Sequence, residues 1–412
     1  MNPIRNRIFA SGVSSAVTPA GPLGSRSRFF VEHIGECDSY FGVIGGHGEF
    51  SHAAAAAATD ELRRWGPSAA AEPTATEAFA EAHAAMKPAL HAAAEAKYSC
   101  CGSVDVREEP DGTLTRKSMY GLPGRRPIRA GASAAILRLN GRQLTLAQVG
   151  DCQVLTVHES GDWDLISADH TANSLEEFER IWAETEKQPI VEFDRGRFVP
   201  PGAPRRPVFV LTGPNEFGPN AEGGYYVVNR LQEWASHLYT AEDRREALYL
   251  TRAIGDFHMR SAGVTCYPFI TSRLLPATGR SWVLAGTKDF FDNYTYQELA
   301  DRVLDLASRH YMDDEIAGRL VEEAMELGRA AYGEAVGSMA ITVALMDPTP
   351  VVRVIMPITE GGIFSCCFTA DQALKFAVET RHLGLGFALA AGKLRSSVPM
   401  GLGPAERLVR GI

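Results

Sequence analysis

Phe41-Gly42-Val43-Ile44-Gly45-Gly46-His47-Gly48 is a short apolar run that ends in closely spaced glycines. With Ser39 and Tyr40 before it, it reads as a buried strand over Ser39–Ile44 that delivers the chain into a tight turn. Downstream, Ser51–Trp65 and Thr74–Ala96 are alanine-rich with scattered charges and predict helices. Gly131–Leu139 and Gln143–Val149 are small and β-branched runs joined by Asn140-Gly141, a hairpin signal. Val154–Val157 and Trp163–Ile166 flank Gly161-Asp162 as a second hairpin, and Pro110-Asp111-Gly112 marks another turn. Leu175–Ala183 predicts a helix and Pro200–Pro207 a proline-rich loop. Ser281–Ala285 predicts a strand, Tyr296–Ser308 and Asp313–Ala331 helices, and Ala340–Leu345 a last core strand. Hairpins combined with paired long helices predict an α+β sandwich, antiparallel sheets covered by helices. Beyond it, Val351–Met356 and Gly362–Phe368 predict strands and Ala370–His382 a helix.

The chain has 412 residues, 45% of them hydrophobic, which supports one large domain or two smaller ones. Its net charge of −9 argues against a nucleic-acid-binding surface. The longest apolar candidate, near Leu383–Gly392, falls short of the roughly 20 residues a membrane-spanning helix needs. Seven cysteines without a secretory apolar region suggest a reducing compartment. Cys100-Cys101 and Cys366-Cys367 are adjacent pairs that lack zinc-site spacing. Arg5, Arg7, Arg26 and Arg28 precede the first acidic residue, Glu32. We read residues 1–27 as an N-terminal arm, with a mitochondrial transit peptide as the alternative.

The order of eight motifs resembles the PP2C (PPM) family of metal-dependent Ser/Thr protein phosphatases. Arg28-Phe29-Phe30-Val31-Glu32-His33 is similar to R-x-x-M-E-D, and Phe41–Gly48 to F-G-V-F-D-G-H-G. Gly131-Ala132-Ser133-Ala134 is similar to G-S-T-A, and Val149-Gly150-Asp151-Cys152 to V-G-D-S. Ser167-Ala168-Asp169-His170, followed by Glu176 to Ile181, resembles S-x-D-H and E-x-x-R-I. Leu250-Thr251-Arg252-Ala253-Ile254-Gly255-Asp256-Phe257 is similar to L-(T/S)-R-(A/S)-(I/L)-G-D-F. GTKDFFDN, Gly286 to Asn293, resembles A-S-D-G-V-W-D-N, and Met339-Ala340-Ile341-Thr342 stands in the place of D-N-(I/A)-T. The resemblance implies an αββα sandwich, two antiparallel sheets flanked by helices. It spans residues 28–348, with a long insertion at about 182–247 and a C-terminal extension at 349–412.

Active members of that family hold two Mg²⁺ or Mn²⁺ ions, hard cations that need converging carboxylates. By the motif alignment, Gly45, Lys288, Met339 and His33 stand where the family has metal-binding aspartates. Glu32, Gly46, Asp151 and Asp256 are the positions that persist. Arg28 matches the phosphate-contacting arginine and His47 the proposed general acid; each is also read as a structural remnant. Lys288 in place of an aspartate changes the local charge by two units, and its ammonium is expected to pair with Glu32 or Asp256. Met339 offers only a soft thioether.

The leading expectation is a pseudophosphatase: no catalytic residue, no cofactor, and a binding or structural role in a larger cytoplasmic assembly, cytoskeletal or other. Two alternatives stay open. One is an active protein phosphatase with a rebuilt Mg²⁺ or Mn²⁺ site; the other is a phosphopeptide-binding module. Protein partners are expected at the 182–247 insertion, read equally as a platform or as a lid, and at the extension.

Overall fold

Side chains along Asp38–Gly48 alternate between two apolar compartments, as the period of a strand requires. Tyr40 and Ile44 pack with the helices, while Phe41 and Val43 face a second sheet. The computed structural model describes residues 7–16, 26–35, 38–98, 105–117, 124–184, 190–194, 207–214, 216–220, 235–239, 246–309, 313–332, 338–347, 351–357, 363–369 and 388–390.

One antiparallel sheet runs Phe269–Leu274, Gln143–Val149, Ala130–Asn140, Asp38–Gly48, Ser27–Gly35, with Ile254–Gly255 also paired on Ala130–Asn140. The other runs Arg7–Ala16, Met339–Asp347, Ser281–Gly286, Gln153–His158, Trp163–Leu165. Leu137, Leu139, Leu144 and Leu146 of the first meet Val154, Val283, Ala344 and Met346 of the second. Helices Ser51–Trp65 and Thr74–Tyr98 cover the outer face of the first sheet, and Tyr296–Ser308 and Asp313–Tyr332 that of the second. The four layers are the αββα order expected from the sequence. The Tyr40 hydroxyl ties sheet to helix by donating to the Leu62 carbonyl at 2.7 Å.

The hairpin at Asn140-Gly141 forms as read, with Gly141 at φ +61°. Thr74–Tyr98 stays helical through Pro88. The arm read at 1–27 contributes the strand Arg7–Ala16, paired along Met339–Asp347. Within the extension, Val351–Pro357 pairs with Ile363–Thr369 and Ala388–Ala390. The helix expected at Ala370–His382 and most of the Pro200–Pro207 loop lie outside the described residues.

Val208, Phe209 and Leu238 of the insertion join a small core with helix Leu175–Glu184 and the stretch from Leu248 to Val264. The insertion's hairpin, Phe209–Gly213 with Glu216–Pro219, packs on helix Leu175–Glu184. The Phe178 ring lies 4.9 Å from that of Phe209, and Trp182 lies 4.6 Å from Phe217. Truncating the buried Phe209 to alanine should therefore cost about 3 kcal/mol. Leu211→Ala in the same hairpin, 59% exposed, should cost under about 0.5 kcal/mol. Equal urea midpoints for the two variants would show that the hairpin does not pack as described.

Candidate functional site

Gly45-Gly46-His47-Gly48 closes the central strand and leads into helix Ser51–Trp65. Glycine is required twice here. A Cβ on Gly46 would lie 2.0 Å from the Ser51 carbonyl oxygen, and Gly48 has φ +82°. His47 Nε2 meets Asp256 Oδ2 at 2.5 Å. A side chain at Gly131 would collide with both groups, its Cβ 2.2 Å from the carboxylate, so the G-A-S-A glycine clears the space for this pair. Asp256 holds a left-handed φ of 44° and is buried. Burial alone would raise its carboxyl; His47, then His258 and His83, bring it below the ordinary range.

A second group of carboxylates lies around Asp151. The Tyr249 hydroxyl donates to Asp151 Oδ2 at 2.7 Å. Burial, then Asp151, pushes both the Tyr249 phenol and the Cys152 thiol well above their usual values. Across from it, Thr287 is locked to the neighbouring strand: its N–H donates to the Ala340 carbonyl at 3.0 Å, and its hydroxyl accepts from the Ala340 N–H at 3.2 Å. Thr287 opens the short helix Lys288–Phe291. Lys288 forms an ion pair with Asp292 one turn along. Burial opposes the charge of Lys288, but Asp292, Asp151 and Asp289 together raise its pKa. Burial pushes Asp289 up to about 6 against the pull of Arg26, with Asp151 adding to the rise.

The expected ligands do not all assemble here. Glu32 and His33 were aligned with family carboxylates, yet the hairpin register sets Ser27 opposite Gly45 and Glu32 opposite Tyr40. Five residues of extended chain separate Ser27 from Glu32, about 17 Å. The Glu32 carboxylate accepts from Arg63 Nε at 2.7 Å on the helix-covered side. His33 pairs with Ser39 farther still along the hairpin. Arg28 is exposed opposite Ile44. After burial, its charge is the next cause lowering the pKa of His52. The pairing of Gly35 with Asp38 belongs to this register, and motif spacing alone does not encode it. Lys288 accordingly pairs with Asp292, not with Glu32 or Asp256.

Arg26, Ser27, Tyr249, Asp289 and Asp292 are the site residues that sequence reasoning passed over. Gly46 N–H donates to the Arg26 carbonyl at 2.7 Å, and Ser27 Oγ donates to the Ser338 carbonyl at 2.5 Å. GTKDFFDN did carry one signal, a carboxylate displaced by one position, Lys288-Asp289 where the motif reads Asp-Gly. Met339 is buried, and Asn293 Nδ2 lies 3.9 Å from its sulfur. A Cβ at Gly45 would point at Thr287 and Cys152, at 3.4 Å and 3.9 Å.

These donors do not fit a pair of hard divalent cations. A lysine ammonium stands within the carboxylate cluster, Met339 offers only a soft thioether that hard cations ignore, and Gly45 has no side chain to donate. Among the described residues, no three His, Cys, Asp or Glu side chains are grouped to hold a metal ion.

The αββα sandwich thus carries a glycine turn, the His47–Asp256 pair and aspartates at the ends of its strands. The family model for protein phosphatase 2C matches residues 38–195 and 220–331, well over half of the chain, and the chain belongs to that family. Among solved structures it is similar to a C. elegans sex-determining protein (14% identity, TM-score 0.48, 82% of this chain and 64% of that one). It is also similar to a serine-threonine phosphatase 2C from Toxoplasma gondii (11% identity, TM-score 0.47, 83% and 97%). A Mycobacterium tuberculosis serine/threonine phosphatase follows (14% identity, TM-score 0.40, 82% and 97%). The comparison with curated protein sequences found no match.

Proposed function

We propose that this PP2C-family chain is a pseudophosphatase that serves as a protein-binding or structural component of a cytoplasmic assembly. One observation carries the reading: the Lys288 ammonium stands among Asp151, Asp289 and Asp292 and is ion-paired with Asp292. A cation fixed there opposes the entry of Mg²⁺ or Mn²⁺ electrostatically and engages a carboxylate that a metal would otherwise draw on. His47 and Asp256 then act as a structural clamp between the glycine turn and the Leu250–Phe257 segment. The exposed part of the insertion, around Leu211, and the C-terminal extension are its contact surfaces.

Asp289 and Asp151 favour the second reading, an active Ser/Thr phosphatase with a rebuilt metal site. A Mn²⁺ titration with a small phosphate ester separates the two. Wild-type chain should show no turnover above buffer up to millimolar Mn²⁺, and calorimetry should detect no Mn²⁺ site. Metal-dependent turnover that Asp151→Asn or Asp289→Asn abolishes would establish the active reading instead.

A further inference from the structure

The small sheet Val106–Glu108, Leu114–Lys117, Arg125–Pro127 lies beside helix Thr74–Tyr98, close to the His47–Gly48 turn through the bond from Glu49 N–H to the Arg129 carbonyl. Its register places Arg116 directly across from Arg126, and Lys117 directly across from Arg125. Like charges directly opposite each other on paired strands are destabilising, with Cβ atoms about 5 Å apart. Two such pairs in succession, on a chain of net charge −9, run against the overall electrostatics.

The neighbouring acids are already engaged. Asp105 holds Arg107 and Arg125, Glu109 lies 3.3 Å from Arg125, and Glu108 pairs with Lys87. Glu49 is shared between Lys97 at 3.4 Å and Arg116 at 3.5 Å. Arg116 is held in place over the Tyr98 ring, 4.7 Å from its centroid. Arg126 and Lys117 are exposed, and no ion pair with an acid is found for either among the described residues. Strand alternation puts Arg116 and Arg126 on one face of the ribbon, where Glu49, shared with Lys97, is the only acid ion-paired with either among the described residues.

We infer that Arg116 and Arg126 form a binding site for a phosphorylated side chain of a protein partner. Planar guanidinium groups match the oxygens of a phosphomonoester, and a dianion between them turns the resting repulsion into attraction. The tyrosine-supported Arg116 supplies the fixed arm, the exposed Arg126 the adjustable one, and Lys117 at the rim adds long-range attraction that salt screens. The site is separate from the Asp151–Lys288 cluster and does not depend on whether that cluster is catalytically inert.

Inorganic phosphate and a phosphoserine peptide, each titrated into the full chain by calorimetry at low ionic strength, test this. Both should bind. Arg126→Ala should weaken each by about tenfold or more, Lys117→Ala by less, and Arg26→Ala at the Asp289 cluster should change nothing. Melting temperatures of Arg126→Ala and Lys117→Ala should not fall below wild type, since each removes one of two like charges set opposite each other, so lost binding reports the site and not the fold. Three results would overturn the inference: no phosphate binding at millimolar concentration, binding lost in Arg26→Ala but kept in Arg126→Ala, or equal affinity for the unphosphorylated peptide.

Discussion

Replacing Glu177 by alanine should lower the stability of the chain by about 3–5 kcal/mol, the range for breaking a buried ion pair by removing one partner. The Glu177 carboxylate is nearly sealed from solvent. It accepts from Arg252 Nη2 at 2.6 Å and from Arg180 Nη2 at 2.9 Å. Burial pushes its pKa up, but Arg252 and Arg180 outweigh burial and hold it at about 2. Arg180 also donates to the Thr251 and Gly263 carbonyls, at 3.1 and 3.3 Å, so the triad fastens helix Leu175–Glu184 to the Leu250–Phe257 segment. Without Glu177, two guanidinium groups face each other, 14% and 16% exposed. Glu177→Gln, which keeps shape and some hydrogen bonding, should lose less. Urea denaturation followed by circular dichroism reads both; a loss below about 1 kcal/mol for Glu177→Ala would place the triad with ordinary surface pairs.

Lowering the pH from 7 to 4.5 should remove about 3 kcal/mol of stability, and the sign follows from the buried histidines. Burial, then Arg260 and Lys87, pushes His83 down to about 4; burial, then Arg252, does the same to His170. Unfolded, each histidine takes up its proton near pH 6.5. Between about 6.5 and 4 the unfolded chain therefore binds more protons, and stability present at neutral pH is lost as the pH falls. Asp289 acts the other way: with a folded pKa of about 6 it gains its proton first in the native state, which offsets part of the loss. Glu177 enters only below about pH 4.5. Paired urea titrations at pH 7 and 4.5 check the balance, and His83→Gln and His170→Gln should each flatten the difference. A chain no less stable at pH 4.5, with the difference unchanged in His83→Gln and His170→Gln, would mean that these rings are protonated in the folded state.

Much of the fold was legible in the sequence because its signals are local. Asn140-Gly141 encodes a turn in two residues, and the short apolar run ending in glycines at Gly45–Gly48 marks a buried strand and its turn. The strand Arg7–Ala16 escaped that reading: it pairs with residues more than 300 positions away, and its arginine-bearing sequence resembles a free arm.

The site divides in the same way. Sequence by itself determined the scaffold, the glycine turn at Gly45–Gly48, and the identities Gly45, Lys288 and Met339 that set the charge of the cluster, since those are properties of single positions. Tertiary structure alone decided which carboxylates meet. Hairpin register carried Glu32 to Arg63 and brought Ser27 beside Gly45; the packing of Lys288–Phe291 set Lys288 on Asp292 and Asp289 near Arg26. The reason is geometric. A shift of one residue along a strand moves a side chain about 3.3 Å and to the opposite face, a difference far larger than a hydrogen bond tolerates and one that linear spacing does not record.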